Sequence, residues 1–201
     1  MKRLLDVIAL GCTLLLVLAT PAWGQTAVGL TGGTQAPMGA TTNHGWRFTA
    51  NEAITVTELG LWDDDNDGMD IDHPIGLWEF SSGTLLTSGI IHAGTGDELF
   101  DHFRYVDVDD VLLQVGGDYV VGFYTHTSND DKMVYASPTD LWVDPAINYI
   151  EARYGGNGSL LMPGPSTSTT YYRFGPNFKF IPEPATAGLL LIGGLWLLRR
   201  R

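Results

Sequence analysis

The amino-acid sequence predicts an all-β body, an antiparallel β-sandwich of jelly-roll-like type, and three observations predict it. Short runs of alternating apolar and polar residues recur at intervals of about 8–12 residues, the spacing of strands in sandwiches and barrels. Clusters of Gly, Ser, Asn and Asp separate those runs. Between the two termini, no stretch sustains the i, i+3, i+4 apolar spacing of a major helix.

The elements follow in order. HGWRFTA, residues 44–50, and ITVTELGLW, residues 54–62, alternate and are bounded by polar turns. HPIGLWEF (73–80) and TLLTSGII (84–91) flank Ser81-Ser82-Gly83, a good hairpin connection. FRYVDVDD (103–110), VLLQV (111–115) and DYVVGFYT (118–125) come next, the last after Gly116-Gly117. KMVYA (132–136) and YYRFGPNFKFI (171–181) close the body. Asp140 to Arg153 has room for a helical turn at most. The Gly-, Pro-, Ser- and Thr-rich run after Gly155 reads as a long loop and not as a domain boundary. Residues 25–181 therefore form one domain. Trp62 and Trp78 fall among apolar neighbours and are expected in the core.

Charge narrows the function classes. Residues 25–181 carry six basic against 21 acidic side chains, a net of −15. Nucleic acid binding needs clustered Lys and Arg and is excluded as a role. Docking on anionic lipid is disfavoured for the same reason.

The termini hold the clearest signals. Lys2 and Arg3 precede an apolar run from Val7 to Ala19, and the small residues Ala22 and Gly24 stand where cleavage before Gln25 needs them. Residues 1–24 read as a secretory signal peptide. Cys12 leaves with it, so the mature chain has no thiol and no disulfide. At the other end, Ala185 to Leu198 is a run of 14 uncharged residues. As a helix it spans about 21 Å at about 1.5 Å per residue, against a hydrocarbon core of about 30 Å. It reads as a short transmembrane helix. Arg199, Arg200 and Arg201 place its C-terminal end on the cytoplasmic side.

Pro182-Glu183-Pro184, the apolar run and the arginine end, together with the signal peptide, resemble the PEP-CTERM sorting tail of Gram-negative bacteria. That resemblance covers about 21 residues, 181–201. It implies recognition by an exosortase, processing near the Pro-Glu-Pro and release of the exterior part. It also implies association with exopolysaccharide and biofilm. Leu59 to Thr125, from LGLWDDDNDGMDIDHPIGLWEF to VGGDYVVGFY, resembles an exported β-sandwich domain family of unknown function, which bears on fold and assigns no residue a role.

One local constellation carries a chemical mechanism. In DDDNDGMDIDHP, residues 63–74, Asp63, Asp65 and Asp67 alternate and Gly68 follows. This is the D-x-D-x-D-G of EF-hand-like loops, in which alternate carboxylates wrap Ca2+ and the glycine permits a sharp turn. The Met69 carbonyl is the next expected ligand. Pro74 stands where an EF-hand has its bidentate Glu, leaving Asp70 or Asp72 to substitute. The alternative is a solvated acidic turn, although six aspartates in ten positions repel one another unless something neutral or cationic intervenes. His73, beside Asp72, is a further donor at that loop; no zinc spacing is found among the histidines.

The remaining candidates are weaker. Trp142, Tyr149 and Tyr154 lie in the irregular 140–158 stretch and form a candidate glycan-stacking face, with packing as the alternative. No G-x-S-x-G is present. Carboxylates are too numerous for a glycosidase pair to be chosen from sequence. The expected function is a non-enzymatic structural or adhesive role in the extracellular matrix, calcium-stabilised, after transient residence in the inner membrane. The expected partners are the secretion machinery, an exosortase and exopolysaccharide. A carbohydrate-binding module is the first alternative and a carboxylate-based hydrolase the second.

Overall fold

A computed structural model of the protein describes residues 24–39, 41–126, 130–165 and 172–183. Residues 1–23 of the predicted signal peptide, Pro184, the apolar run and the three terminal arginines lie outside the described residues. Those described contain fourteen strands and no helix. They are β1 (Gln25–Thr26), β2 (Val28–Thr31), β3 (Thr34–Pro37), β4 (Thr42–Ala50), β5 (Ile54–Trp62), β6 (His73–Glu79) and β7 (Leu85–Ile91). The second half holds β8 (Glu98–Phe100), β9 (Phe103–Leu113), β10 (Asp118–Thr125), β11 (Lys132–Ala136), β12 (Asp140–Val143), β13 (Ile147–Tyr154) and β14 (Pro176–Pro182).

Two five-stranded antiparallel sheets, ordered β1-β14-β5-β9-β8 and β13-β4-β10-β6-β7, enclose one apolar core. Two antiparallel ribbons, β11-β3 and β12-β2, complete the fold. The arrangement is that expected of a β-sandwich. Alternation places its residues as the two-residue period requires. Trp46 and Phe48 on β4 face Val121 and Tyr119 on β10, and all four belong to the core cluster together with Leu59 and Leu61 of β5 and Phe178 and Phe180 of β14. The rings of Phe48 and Phe178 approach to 5.0 Å across the two sheets.

The outer face of the second sheet is also covered, which explains why β10 is buried at nearly every residue. Gly45, Gly122 and Gly76 lie side by side in register on β4, β10 and β6. A Cβ on Gly122 would stand 2.5 Å from Cγ of Pro163. The loop after β13 therefore rests its Pro163 in a trough that only glycines can leave open. Arg153 Nε donates to the Pro163 carbonyl at 2.8 Å and fastens the loop there.

The predicted elements and the observed ones differ in instructive places. Residues 103–113 form one long strand instead of two, with an irregular register against Val56 and Glu58 of β5. The strands on either side of Gly116-Gly117, β9 and β10, lie in different sheets. The Ser81-Ser82-Gly83 hairpin is present, with Gly83 at φ 68° and Glu79 N donating to Thr84 O at 3.0 Å. Asp140 to Arg153 contains strands β12 and β13 and no helical turn. Pro145 has no N–H to give a helix, and Asp144 Oδ1 instead accepts from Ala146 N at 2.8 Å, closing a tight turn between the strands. Trp62 lies in the core, whereas Trp78, equally buried, lies outside the central cluster, with its ring against Gly76.

Candidate functional site

The acidic loop, residues 63–72, carries the chain from β5 in one sheet to β6 in the other. Asp63 opens it. Its carboxylate is 2% exposed, and Oδ2 accepts from Arg104 Nε at 2.8 Å. Asp63 also accepts from Asn66 N at 3.0 Å and from Gly68 N at 3.2 Å, so it folds the loop over itself. Gly68, at φ 108°, lies against the backbone of Gly94, where a Cβ would meet it at 2.5 Å. Arg104 completes the knot by donating to the carbonyls of Asn66, Thr95 and Asp97.

Three of the predicted ligands come together. Asp63, Asp65 and Asp67 each place a carboxylate oxygen within 4.8 Å of the other two. Asp65 and Asp67 are exposed and share a hydrogen bond. That bond holds Asp65 below the usual carboxylate range and, with the Asp65 charge, pushes Asp67 above it. Two carboxylates this close are chemically a proton- or cation-sharing pair.

The other predicted ligands go elsewhere. The Met69 carbonyl accepts from Gly94 N at 2.7 Å, and Asp72 Oδ1 accepts from Ala93 N at 2.8 Å. Asp70 Oδ2 accepts from Asp130 N, and Lys132 Nζ donates to Asp64 at 2.7 Å. His73 is buried and turned inward, with Nε2 at 3.0 Å from Asp131 Oδ2. The repulsion among six aspartates is thus relieved chiefly by backbone N–H groups and two cations, Arg104 and Lys132. These are the neutral and cationic groups that the sequence argument asked for, and an ion is not required in addition.

The three aromatics proposed as a glycan face do not form one. Tyr149 is half-buried, with its ring 5.4 Å from Phe174 and 6.2 Å from Trp46. Tyr154 packs on His44 at 5.0 Å and under the Arg173 guanidinium at 4.1 Å. Tyr154 is nonetheless 44% exposed, and Trp142, 49% exposed, lies apart from it in a surface groove of about 530 Å³.

That groove is built from distant parts of the chain. Asn177, fully buried on β14, receives Val28 N on Oδ1 at 3.2 Å and donates Nδ2 to Val28 O at 2.8 Å. This clamp fixes β2, and β12 pairs with β2 so that Trp142 faces Gly29 and Asp140 faces Thr31. Thr31 Oγ1 donates to Asp140 Oδ2 at 3.1 Å. Asp101 enters from the turn between β8 and β9, where Asp101 and His102 both have positive φ, 49° and 66°, as primed hairpin turns require. A Cβ at Gly29 would stand 3.4 Å from Asp101 Oδ2 and 3.7 Å from the Trp142 ring. Gly29 is the floor, Trp142 one wall, and the two aspartates lie beside it.

A second cavity of about 310 Å³ holds a pair that the sequence reading did not bring together, His44 and Arg173. Arg173 Nη1 donates to His44 Nδ1 at 3.0 Å. Burial first, and the adjacent guanidinium second, hold the His44 imidazole down at about 3. The residues are 129 apart, and neither stands in a motif.

At the Pro-Glu-Pro, Pro182 is the last residue of β14 and pairs with Ile54. Glu183 N donates to Ala53 O at 3.0 Å, and Thr55 Oγ1 donates to the Glu183 carboxylate. Pro182 thus belongs to the sheet, and Glu183 is held at its edge. No helix among the described residues is long and apolar enough to cross a membrane; the run 185–198 lies outside them. No protein-family model matches the chain, and a search of curated proteins finds none similar to it.

Proposed function

We infer that this chain is an exported, non-catalytic protein of the cell surface or extracellular matrix, with a structural or adhesive role. In this reading residues 1–24 direct export and residues 182–201 are a sorting tail that an exosortase processes after a short stay in the inner membrane. The carrying observation is the pair of terminal patterns: Lys2 and Arg3 ahead of the apolar run Val7 to Ala19 and the small residues Ala22 and Gly24, and Pro182-Glu183-Pro184 ahead of the uncharged run Ala185 to Leu198 and three arginines. The domain is of the jelly-roll kind. Eight strands fall in the orders β1-β14-β5-β9 and β4-β10-β6-β7, the neighbour relations that two interleaved Greek keys generate. Intact mass spectrometry of the surface or secreted protein tests the sorting reading: loss of residues 1–24 and of the arginine end is expected. A surface species that retains Arg201 contradicts it.

Within that role, Asp63, Asp65 and Asp67 hold Ca2+. The support is the approach of their oxygens to within 4.8 Å and the sharing of one hydrogen bond by Asp65 and Asp67, a place a hard cation would take. Calcium at millimolar concentration raises Tm relative to chelator, and equal Tm in both removes the metal from the account.

The second reading, a carbohydrate-binding module, is favoured by the groove at Trp142. An open indole beside hydroxyl and carboxylate groups is what a pyranose ring stacks upon. Trp142→Ala abolishes glycan retention in this reading and leaves the melting temperature within about 2 °C, since the ring is half exposed.

A further inference from the structure

Carried further, the Trp142 groove bears on the class of sugar. Its polar lining is acidic: Asp101, and Asp140 on the same ribbon as the indole, with the hydroxyls of Thr31 and Thr139 also lining it. None of the described residues that line it is basic. The body around it carries a net −15. A uronic acid or a sulfated sugar entering here brings a like charge beside two carboxylates, a penalty of the kind that excludes wrong partners. A protonated amino sugar brings the opposite charge, and its electropositive C–H face also suits the face of an indole.

We propose that the groove of Gly29, Asp101, Asp140 and Trp142 binds a polysaccharide containing free amino groups, a partly de-N-acetylated polyhexosamine. The pyranose ring lies on Trp142, with Gly29 giving it depth, and its ammonium group meets the carboxylates of Asp101 and Asp140. This rests on the carbohydrate-binding reading above and adds to it a choice among sugars. The gap over Gly29 matters because any side chain there comes into contact with both the Asp101 carboxylate and the indole. No strained φ demands a glycine at this residue, so its absence of a side chain serves the space and not the backbone.

Calorimetric titration of the full chain, purified in detergent, at mildly acidic pH provides the test. The probes are the glucosamine hexamer, its fully N-acetylated counterpart, a hexamer of galacturonic acid, and hexalysine. The amino hexamer binds at least ~10-fold more tightly than the acetylated one, a difference of about 1.4 kcal/mol, and the uronate hexamer gives no heat. Trp142→Ala and Gly29→Val each weaken the amino hexamer at least ~10-fold with unchanged circular dichroism. Asp101→Asn combined with Asp140→Asn brings the amino and acetylated hexamers to equal affinity. Asn is the conservative choice at residue 101 because it tolerates positive φ.

Equal affinities in the wild type, both lost with Trp142→Ala, overturn the amino-sugar choice and leave the carbohydrate reading standing. Absence of binding by any hexamer overturns both. Hexalysine binding that matches the amino hexamer and is indifferent to Trp142 shows mere adsorption of a polycation, and also overturns the proposal.

Discussion

Arg104→Met strips the cation from a carboxylate that has almost no access to water. Asp63 and Arg104 are 2% and 4% exposed, and removing one partner of so buried a pair costs about 3–5 kcal/mol. Urea unfolding of that variant is expected to show the loss with calcium and with chelator alike. Asp67→Asn behaves differently: Asp67 is exposed and makes no ion pair among the described residues, so the variant keeps its stability in chelator and loses the rise with calcium. The contrast separates a carboxylate that builds the loop from one that serves it. His44 supplies a third residue-scale expectation. Its folded pKa, about 3, lies below the ordinary 6.5, so the unfolded chain binds the proton more readily. The stability that this neutral imidazole contributes is complete above pH 6.5 and declines as pH falls toward 3. The slope approaches about 1.4 kcal/mol per pH unit. His44→Gln flattens that part of the stability–pH curve; an unchanged slope contradicts the assignment. Asp63, Asp65, Asp67 and Gly68 were legible because their relation is local spacing. Arg104 was not, because only the pairing of β9 beside β5 brings it to a carboxylate 41 residues away.

Strands and ribbons show the same division. Alternation identified β4, β5, β6, β7 and β10, since each has one face in the core and enough length for a period of two to appear. The strands β1, β2 and β3 escaped notice. QTAVGLTGGTQAP is short-segmented and rich in Gly and Thr, and its strands are held by partners that lie far along the chain. The same is true of β12, so Trp142 could be picked out as an aromatic in an irregular stretch while its true companions, Gly29 and Asp101, could not. Tyr149 and Tyr154 were grouped with it on proximity in sequence, and their strand, β13, sends them to other neighbours. The clamp at Asn177 makes this testable at the level of the ribbon. Asn177→Ala leaves Val28 N–H and C=O unpaired in a buried place, at a cost of about 1–3 kcal/mol for each group. Amide hydrogen exchange in β2 and β12 should then accelerate while β10 stays protected. On the opposite face, Gly122→Ala collides with Pro163 and costs about 1–3 kcal/mol. Pro163→Gly in the same chain recovers part of that loss, since the trough is then open; a double-mutant cycle without coupling would sink the packing argument.

In the proposed reading the whole molecule is a cysteine-free acidic sandwich flanked by one terminal segment for export and one for sorting. The last strand runs into the Pro-Glu-Pro without a linker, and Thr55 and Ala53 grip Glu183. In the proposed reading, release of the exterior part occurs at the rim of the folded domain. Loosening that rim, by Thr55→Val, is expected to speed processing without altering export, as read by the ratio of precursor to mature protein in pulse labelling. The central claim, that the body is exported and freed from its tail, is tested most directly by the intact mass of the protein recovered from the cell exterior. A species that begins at Gln25 and lacks Arg199, Arg200 and Arg201 is predicted. A full-length chain at the cell surface, or a chain found only in the cytoplasm, contradicts it.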